Sequence, residues 1–195
     1  MLKWMSRIII NCLSPCKQNE SELIILEYGC ETWLYTLIST LGLFFTGIAL
    51  SAVNETIIII VLFYLCQSTG GGYHAVSHMK CFVIMEAGLI FSLMFIKSPN
   101  ISFLITYIYP FSIILLLTFP VSLSSTKHYL INKKRYLILQ SRITTIIIAL
   151  AILLMKLLQY TAFMKAACIS IIIASVSRIY PIIKDALKKY HFKKY

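Results

Sequence analysis

Residues 55–66 read ETIIIIVLFYLC, and whether this stretch crosses a bilayer decides the fold. A hydrocarbon core about 30 Å thick takes roughly 20 helical residues. The stretch falls short of that. Asn54 and Glu55 break the apolar run before it, and Gln67 with a glycine run ends it. A full crossing must therefore recruit flanking residues or thin the bilayer locally. Longer apolar stretches at 33–53, 81–96, 102–119, 143–158 and 162–182 are the other candidates.

The basic residues decide the parity, because cytoplasmic loops carry the excess of Lys and Arg. Lys3, Arg7 and Lys17 precede the first span. Lys127, Lys133, Lys134, Arg135 and Arg142 separate the fourth from the fifth, and Lys184, Lys188, Lys189, Lys193 and Lys194 follow the sixth. Six crossings put all three groups in the cytoplasm and Lys97 outside. A re-entrant 55–66 would instead export the strongly basic loop around Lys133. The expectation is an all-α, polytopic integral membrane protein of about six transmembrane helices, with both termini and the 67–81 loop cytoplasmic.

Composition agrees with that class. Hydrophobic residues make up 59% of the chain and charged ones 13%, against about a quarter charged in soluble domains. With 195 residues and no connecting segment long enough to fold alone, one membrane domain over 1–195 is expected. Its parts are an interfacial N-terminal segment (1–31), the 67–81 loop, a basic loop (120–142) and a basic tail (183–195). The first residues, MLKWMSRIIINCLS, contain no long apolar run and no small-residue cleavage site, so no signal peptide is read. Asn19 and Ser21 suit helix caps, and Leu23, Ile24, Ile25 and Leu26 suit an amphipathic anchor over 22–28 lying in the interface.

The six cysteines, Cys12, Cys16, Cys30, Cys66, Cys81 and Cys168, do not form the paired framework of a secreted protein. The formal charge of +11 raises the question of nucleic acid. The basic residues, however, flank apolar spans instead of forming a stripe with interleaved aromatics, so anionic lipids or an acidic peptide are the expected partners and nucleic acid is not.

The segment after 55–66 carries the chemistry. Residues 70–81 read GGGYHAVSHMKC, placing a histidine and a cysteine seven residues apart behind a glycine cluster at a span boundary. Thiol and imidazole are the parts of a cysteine nucleophile with its general base. Gly70, Gly71 and Gly72 permit either a tight turn between helices or backbone N–H groups that approach a substrate carbonyl. In a helical segment His74, His78 and Cys81 would share one face. That face also suits zinc with a water in the fourth place, but no further ligand is evident nearby and no metal or other cofactor is predicted. The glycines are not followed by the Gly-Lys-Ser/Thr of a phosphate-binding loop.

The core Gly-Gly-Tyr-His-Ala at 71–75, with Cys81 seven residues after His74, resembles the accessory gene regulator protein B family, membrane endopeptidases that process quorum-sensing propeptides in Gram-positive bacteria. The likeness continues through two polar N-terminal stretches, Pro120 opening a loop toward Lys133, Lys134 and Arg135, and a lysine-rich end. It implies Cys81 as nucleophile, His74 as base and Gly72 as the motif glycine. Gln67 stands where the family commonly has an arginine, offering a neutral amide in place of a charge. The resemblance further implies release of the propeptide's C-terminal tail from an acyl-thioester on Cys81. Capture of that acyl group by a substrate cysteine then gives a cyclic thiolactone. The implied partners are a short amphipathic precursor with an internal cysteine and an acidic tail, and a second copy of the chain.

Among the remaining polar residues, Glu86 lies inside the third span, where an ionised carboxylate costs on the order of 3 kcal/mol without a partner. It sits about 140° around a helix from Cys81, so pairing with Lys156, Lys165 or Arg178 on another span is expected in preference to orienting the dyad. Lys133, Lys134 and Arg135 serve topology and lipid contact, or attract an acidic tail. The rival class is a transporter with Glu86, Lys156, Lys165 and Arg178 along a polar path. The single motif around His74 and Cys81 favours an enzyme.

Overall fold

The computed structural model describes residues 2–13, 20–73, 75, 77–119 and 134–192. These form seven helices: α1 (Leu2–Leu13), α2 (Glu20–Ala49), α3 (Val53–Gly70), α4 (His78–Lys97), α5 (Pro99–Thr118), α6 (Lys134–Leu157) and α7 (Thr161–Phe192). Within α2, α3, α4, α6 and α7 lie five segments long and apolar enough to cross a membrane. The 20 residues of α5 supply a sixth membrane-length helix.

The doubtful stretch is a full helix. α3 has 18 residues, about 27 Å at the α-helical rise. It gains its length by keeping polar residues helical at both ends. Asn54 and Glu55 occupy the first turn, where an acidic side chain suits the positive end of the helix dipole. At the other end the hydroxyls of Ser68 and Thr69 donate to the Leu65 carbonyl at 3.1 and 3.0 Å, which removes their need for water. The same back-bonding recurs along α2, where Thr32, Thr36 and Thr40 donate to the carbonyls of Tyr28, Thr32 and Thr36.

Three sequence expectations about the ends of elements are corrected. Residues 22–28 are not a separate interfacial helix but the first turns of α2, continuous with the span through Gly29. An isolated helical glycine costs only about 1 kcal/mol and does not break the run. Ser21 falls inside the helix, and Asn19 lies outside the described residues. The N-terminal amphipathic element is α1, which lies against α2, exposes Trp4 and Ile8, and buries Ser6 and Ile10. An ion pair, Arg7 Nε to Glu27 Oε1 at 2.7 Å, ties the two helices. At 120–142 and 183–195 the basic stretches are helical in part: α6 begins at Lys134 and α7 runs on to Phe192.

α7 is the central helix and packs most extensively against α3 and α5. Its buried residues are mostly small, Ala166, Ala167, Cys168, Ser170 and Ala174 among them. Small side chains let helix backbones approach where no hydrophobic effect drives them together in lipid. Ser170 uses that proximity to donate to the Ile59 carbonyl of α3 at 3.2 Å. Phe45, Phe91, Phe111 and Leu150 stand exposed on the outer faces, as a surface solvated by lipid requires.

Successive helices alternate in direction. Lys97 Nζ donates to the Leu50 carbonyl at 2.6 Å, which brings the α4–α5 junction to the same end as the α2–α3 turn. The α3–α4 loop lies at the opposite end, beside the later turns of α7.

Candidate active site

α3 ends on a glycine device. Gly71 leaves the helix at φ 68° and ψ −173°, a region essentially restricted to glycine. Its N–H donates to the Gln67 carbonyl at 2.8 Å, so this group is occupied in closing the helix. Gly70 and Gly72 serve a second purpose, the close approach of α7. A Cβ on Gly70 would run into the Arg178 guanidinium, and one on Gly72 would come within 2.8 Å of Gln67 Nε2 and Ser177 Oγ.

α7 holds the loop by several bonds. The Tyr73 N–H donates to the Ser177 carbonyl at 2.8 Å and to its Oγ at 3.1 Å. Gln67 Nε2 donates to the same Oγ at 3.0 Å. The Tyr73 ring meets the edge of Tyr180 at 4.9 Å and 82°. Arg178, 1% exposed, donates from Nη2 to the Cys66 carbonyl at 2.8 Å and from Nη1 to Ser141 Oγ at 3.0 Å, joining α3, α6 and α7 at the loop end. A guanidinium spreads its donors over several acceptors in one plane, which suits this three-helix junction.

α4 then restarts the helix. Ser77 is its N-cap, accepting from the Lys80 N–H at 3.3 Å. The Cys81 N–H reaches the Ser77 carbonyl at 3.1 Å, which places Cys81 in the first turn. Its side chain is half-buried and its thiol is free. His78, the first residue of α4, stacks its ring on Tyr35 of α2 with centroids 4.3 Å apart and planes 17° apart. α4 begins at His78, so of the face expected for His74, His78 and Cys81 the described residues show His78 and Cys81, one turn apart on that helix. His74 lies outside the described residues, between Tyr73 and Ala75.

The polar residues assigned to pairing have other partners. Glu86 does not meet Lys156, Lys165 or Arg178: its Oε2 accepts from Thr46 Oγ1 at 2.9 Å, and Gly42 on the same α2 face lies close to its Oε1. α4 crosses α2 at these small residues, and the carboxylate turns toward the hydroxyl there. Lys156 is exposed at the end of α6, where its ammonium can snorkel to the interface. Glu86, Lys156 and Arg178, three of the groups suggested for a polar path, thus sit apart, at the α2–α4 contact, on the exposed end of α6 and at the junction of α3, α6 and α7. Arg135 is exposed in the first turn of α6. Lys134 opens that helix and Lys133 lies outside the described residues.

Sequence reasoning passed over Ser177, Tyr180 and Ser141. One signal was present: Pro181 lies inside α7, so the carbonyl four residues before it, that of Ser177, has no helical donor.

A bundle of membrane-length helices, with a free cysteine at the head of one of them and a glycine-hinged loop before it, defines a multi-pass membrane protein with a candidate thiol site at one end. The model of the family described as accessory gene regulator B matches residues 4–178, so the chain belongs to that family, membrane proteins of the agr quorum-sensing system. No curated protein and no solved structure matches the chain.

Proposed function

We propose that this protein is a membrane cysteine endopeptidase that removes the C-terminal tail of a signalling propeptide and closes the remainder into a cyclic thiolactone. The observation that carries the reading is the position of Cys81, a free and half-buried thiol in the first turn of α4, directly after the glycine loop in a chain of this family.

In this mechanism His74 accepts the Cys81 proton and the thiolate attacks the peptide carbonyl preceding the tail. The C–N bond breaks, His74 returns its proton to the departing amine, and the peptide remains as an acyl-thioester on Cys81. A substrate cysteine thiol then attacks that ester. The C–S bond to Cys81 breaks, a C–S bond to the substrate forms, and the proton passes from the substrate thiol to the Cys81 sulfur through His74. Thioester exchange leaves the energy of the ester nearly unchanged, so the route to a ring depends on excluding water, which would give a linear acid. If an oxyanion hole forms in this region, its donors are groups other than the Gly71 N–H.

The loop end is read as cytoplasmic, since α1 and the basic starts and ends of α6 and α7 collect there. Lys133, Lys134 and Arg135 would draw an acidic tail toward the site and hold anionic lipid, and the chain would act as a homodimer. The test is mass spectrometry of the precursor after incubation with the protein in liposomes, with the native chain, Cys81→Ala and His74→Ala in parallel. A precursor lighter by its tail with the native chain alone is expected. A precursor left intact by all three would reject the peptidase reading in favour of transport or binding.

A further inference from the structure

Pro181 interrupts no helix: α7 runs through it from Thr161 to Phe192. What the proline changes is the hydrogen bonding one turn earlier. A proline carries no N–H, and its ring pushes the carbonyl of the residue four positions before it away from the helix axis. That residue is Ser177. At a half-buried position such a carbonyl needs another donor. Here it has one from outside the helix, the Tyr73 N–H at 2.8 Å.

The Tyr73 N–H has the complementary problem. It belongs to a loop residue past the end of α3 and has no donor–acceptor ladder of its own to join. Ser177 answers it twice, with the released carbonyl and with Oγ at 3.1 Å. The same Oγ accepts from Gln67 at 3.0 Å, and the buried Gly72 leaves room for this convergence. The residue so fixed is the one immediately before His74.

We infer that Pro181 and Ser177 are positioning residues: the proline frees the Ser177 carbonyl to anchor the Tyr73 backbone, and this anchor, one residue before His74, governs how well His74 serves Cys81. The inference rests on the peptidase reading for what His74 and Cys81 do, and stands on its own for how the loop is held. Neither residue touches substrate. Both act through the backbone of Tyr73.

The test uses the full chain in liposomes with three variants. Pro181→Ala restores an N–H that competes for the Ser177 carbonyl without removing a side chain from the loop. Ser177→Ala removes the hydroxyl, and Ser177→Thr keeps it. Hydrogen exchange at the Tyr73 amide should quicken about tenfold in Pro181→Ala as the anchor loosens. For the precursor, kcat should fall about a hundredfold, the scale of a misplaced reacting group, with KM unchanged; Ser177→Thr should recover what Ser177→Ala loses. A variant that was simply less stable would lose active protein without this pattern of exchange and rescue.

The rate at which a small alkylating reagent labels Cys81, read by peptide mass spectrometry, separates the two levels of the claim. Native chain and His74→Ala should differ, Pro181→Ala should resemble His74→Ala, and the double variant should be no slower than either single one, as coupled groups require. Unchanged Tyr73 exchange in Pro181→Ala, or a His74 dependence of labelling that Pro181→Ala leaves intact, would overturn the positioning role alone. Equal labelling of native and His74→Ala chains would overturn the peptidase reading and the positioning role with it.

Discussion

Two cations donate to backbone carbonyls at opposite ends of this bundle, and they do different work. Lys97 reaches the Leu50 carbonyl from an exposed position, at an end where the junctions are tight turns closed by backbone bonds such as Ala52 N–H to Gly47 O and Tyr160 N–H to Met155 O. Arg178 is buried and binds Cys66 O and Ser141 Oγ, at an end where the chain takes a longer path between α3 and α4. The first end is closed by local backbone geometry. The second is held from α7 as well, through Ser177, Arg178 and Tyr180, because the path from Gly71 to Ser77 is too long to be closed by a single turn. The asymmetry teaches how unevenly the bundle is held: the end that carries the glycine run and Cys81 is the end whose order another helix imposes from a distance.

Several changes would break or sharpen this contrast. Cys81→Ala has the largest expected effect, complete loss of precursor processing in the liposome assay with folding retained, since a half-buried thiol at the head of α4 holds nothing else together. Arg178→Ala comes next. Hydrogen bonds from a charged donor are worth roughly 1.5–3 kcal/mol each, so loss of the guanidinium should destabilise the chain by about 3 kcal/mol, seen as a lowered midpoint of thermal unfolding in detergent, with processing lost as well. Gly72→Ala should cost about 1–3 kcal/mol by overpacking, because its Cβ would press on Gln67 and Ser177; processing should fall further than stability.

The opposite end should respond weakly. Lys97→Ala should cost about 0.5 kcal/mol, the scale of an exposed cation at a helix C-terminus, and leave processing intact. Gln159, at φ 60°, should tolerate glycine with a gain of about 1 kcal/mol from relieved left-handed strain, again without effect on the precursor. If Lys97→Ala and Arg178→Ala proved equally damaging to processing, the contrast between the ends would be wrong.

Much of the fold was legible before any coordinates, and the reasons for the remainder are physical. Apolar length gave the membrane-length helices, including 55–66, because it is a property of the chain in a bilayer and needs no knowledge of its packing. Helix ends were less legible: Glu22 to Tyr28, Lys134 to Arg142 and Lys184 to Phe192 carry charged residues beside the apolar runs, yet they belong to the same helices as those runs, and hydropathy alone stops at the charges. Partners were least legible. Glu86 meets Thr46 and Arg178 meets Ser141 because of which helices adjoin, a fact that no single segment contains. Pro181 lies between these cases. Its sequence position announces a free carbonyl at Ser177, while the donor that fills it, Tyr73, comes from more than a hundred residues away.

The central claim is that Cys81 carries an acyl group during turnover, and the direct measurement is the intact mass of the protein, followed by mapping of the modified peptide, after brief mixing with precursor and rapid acid quench. The account predicts an adduct equal to the precursor without its tail, placed on Cys81, released by hydroxylamine as a thioester should be, and missing from Cys81→Ala. A native chain that removes the tail with no such adduct, or an adduct that persists in Cys81→Ala, would contradict it.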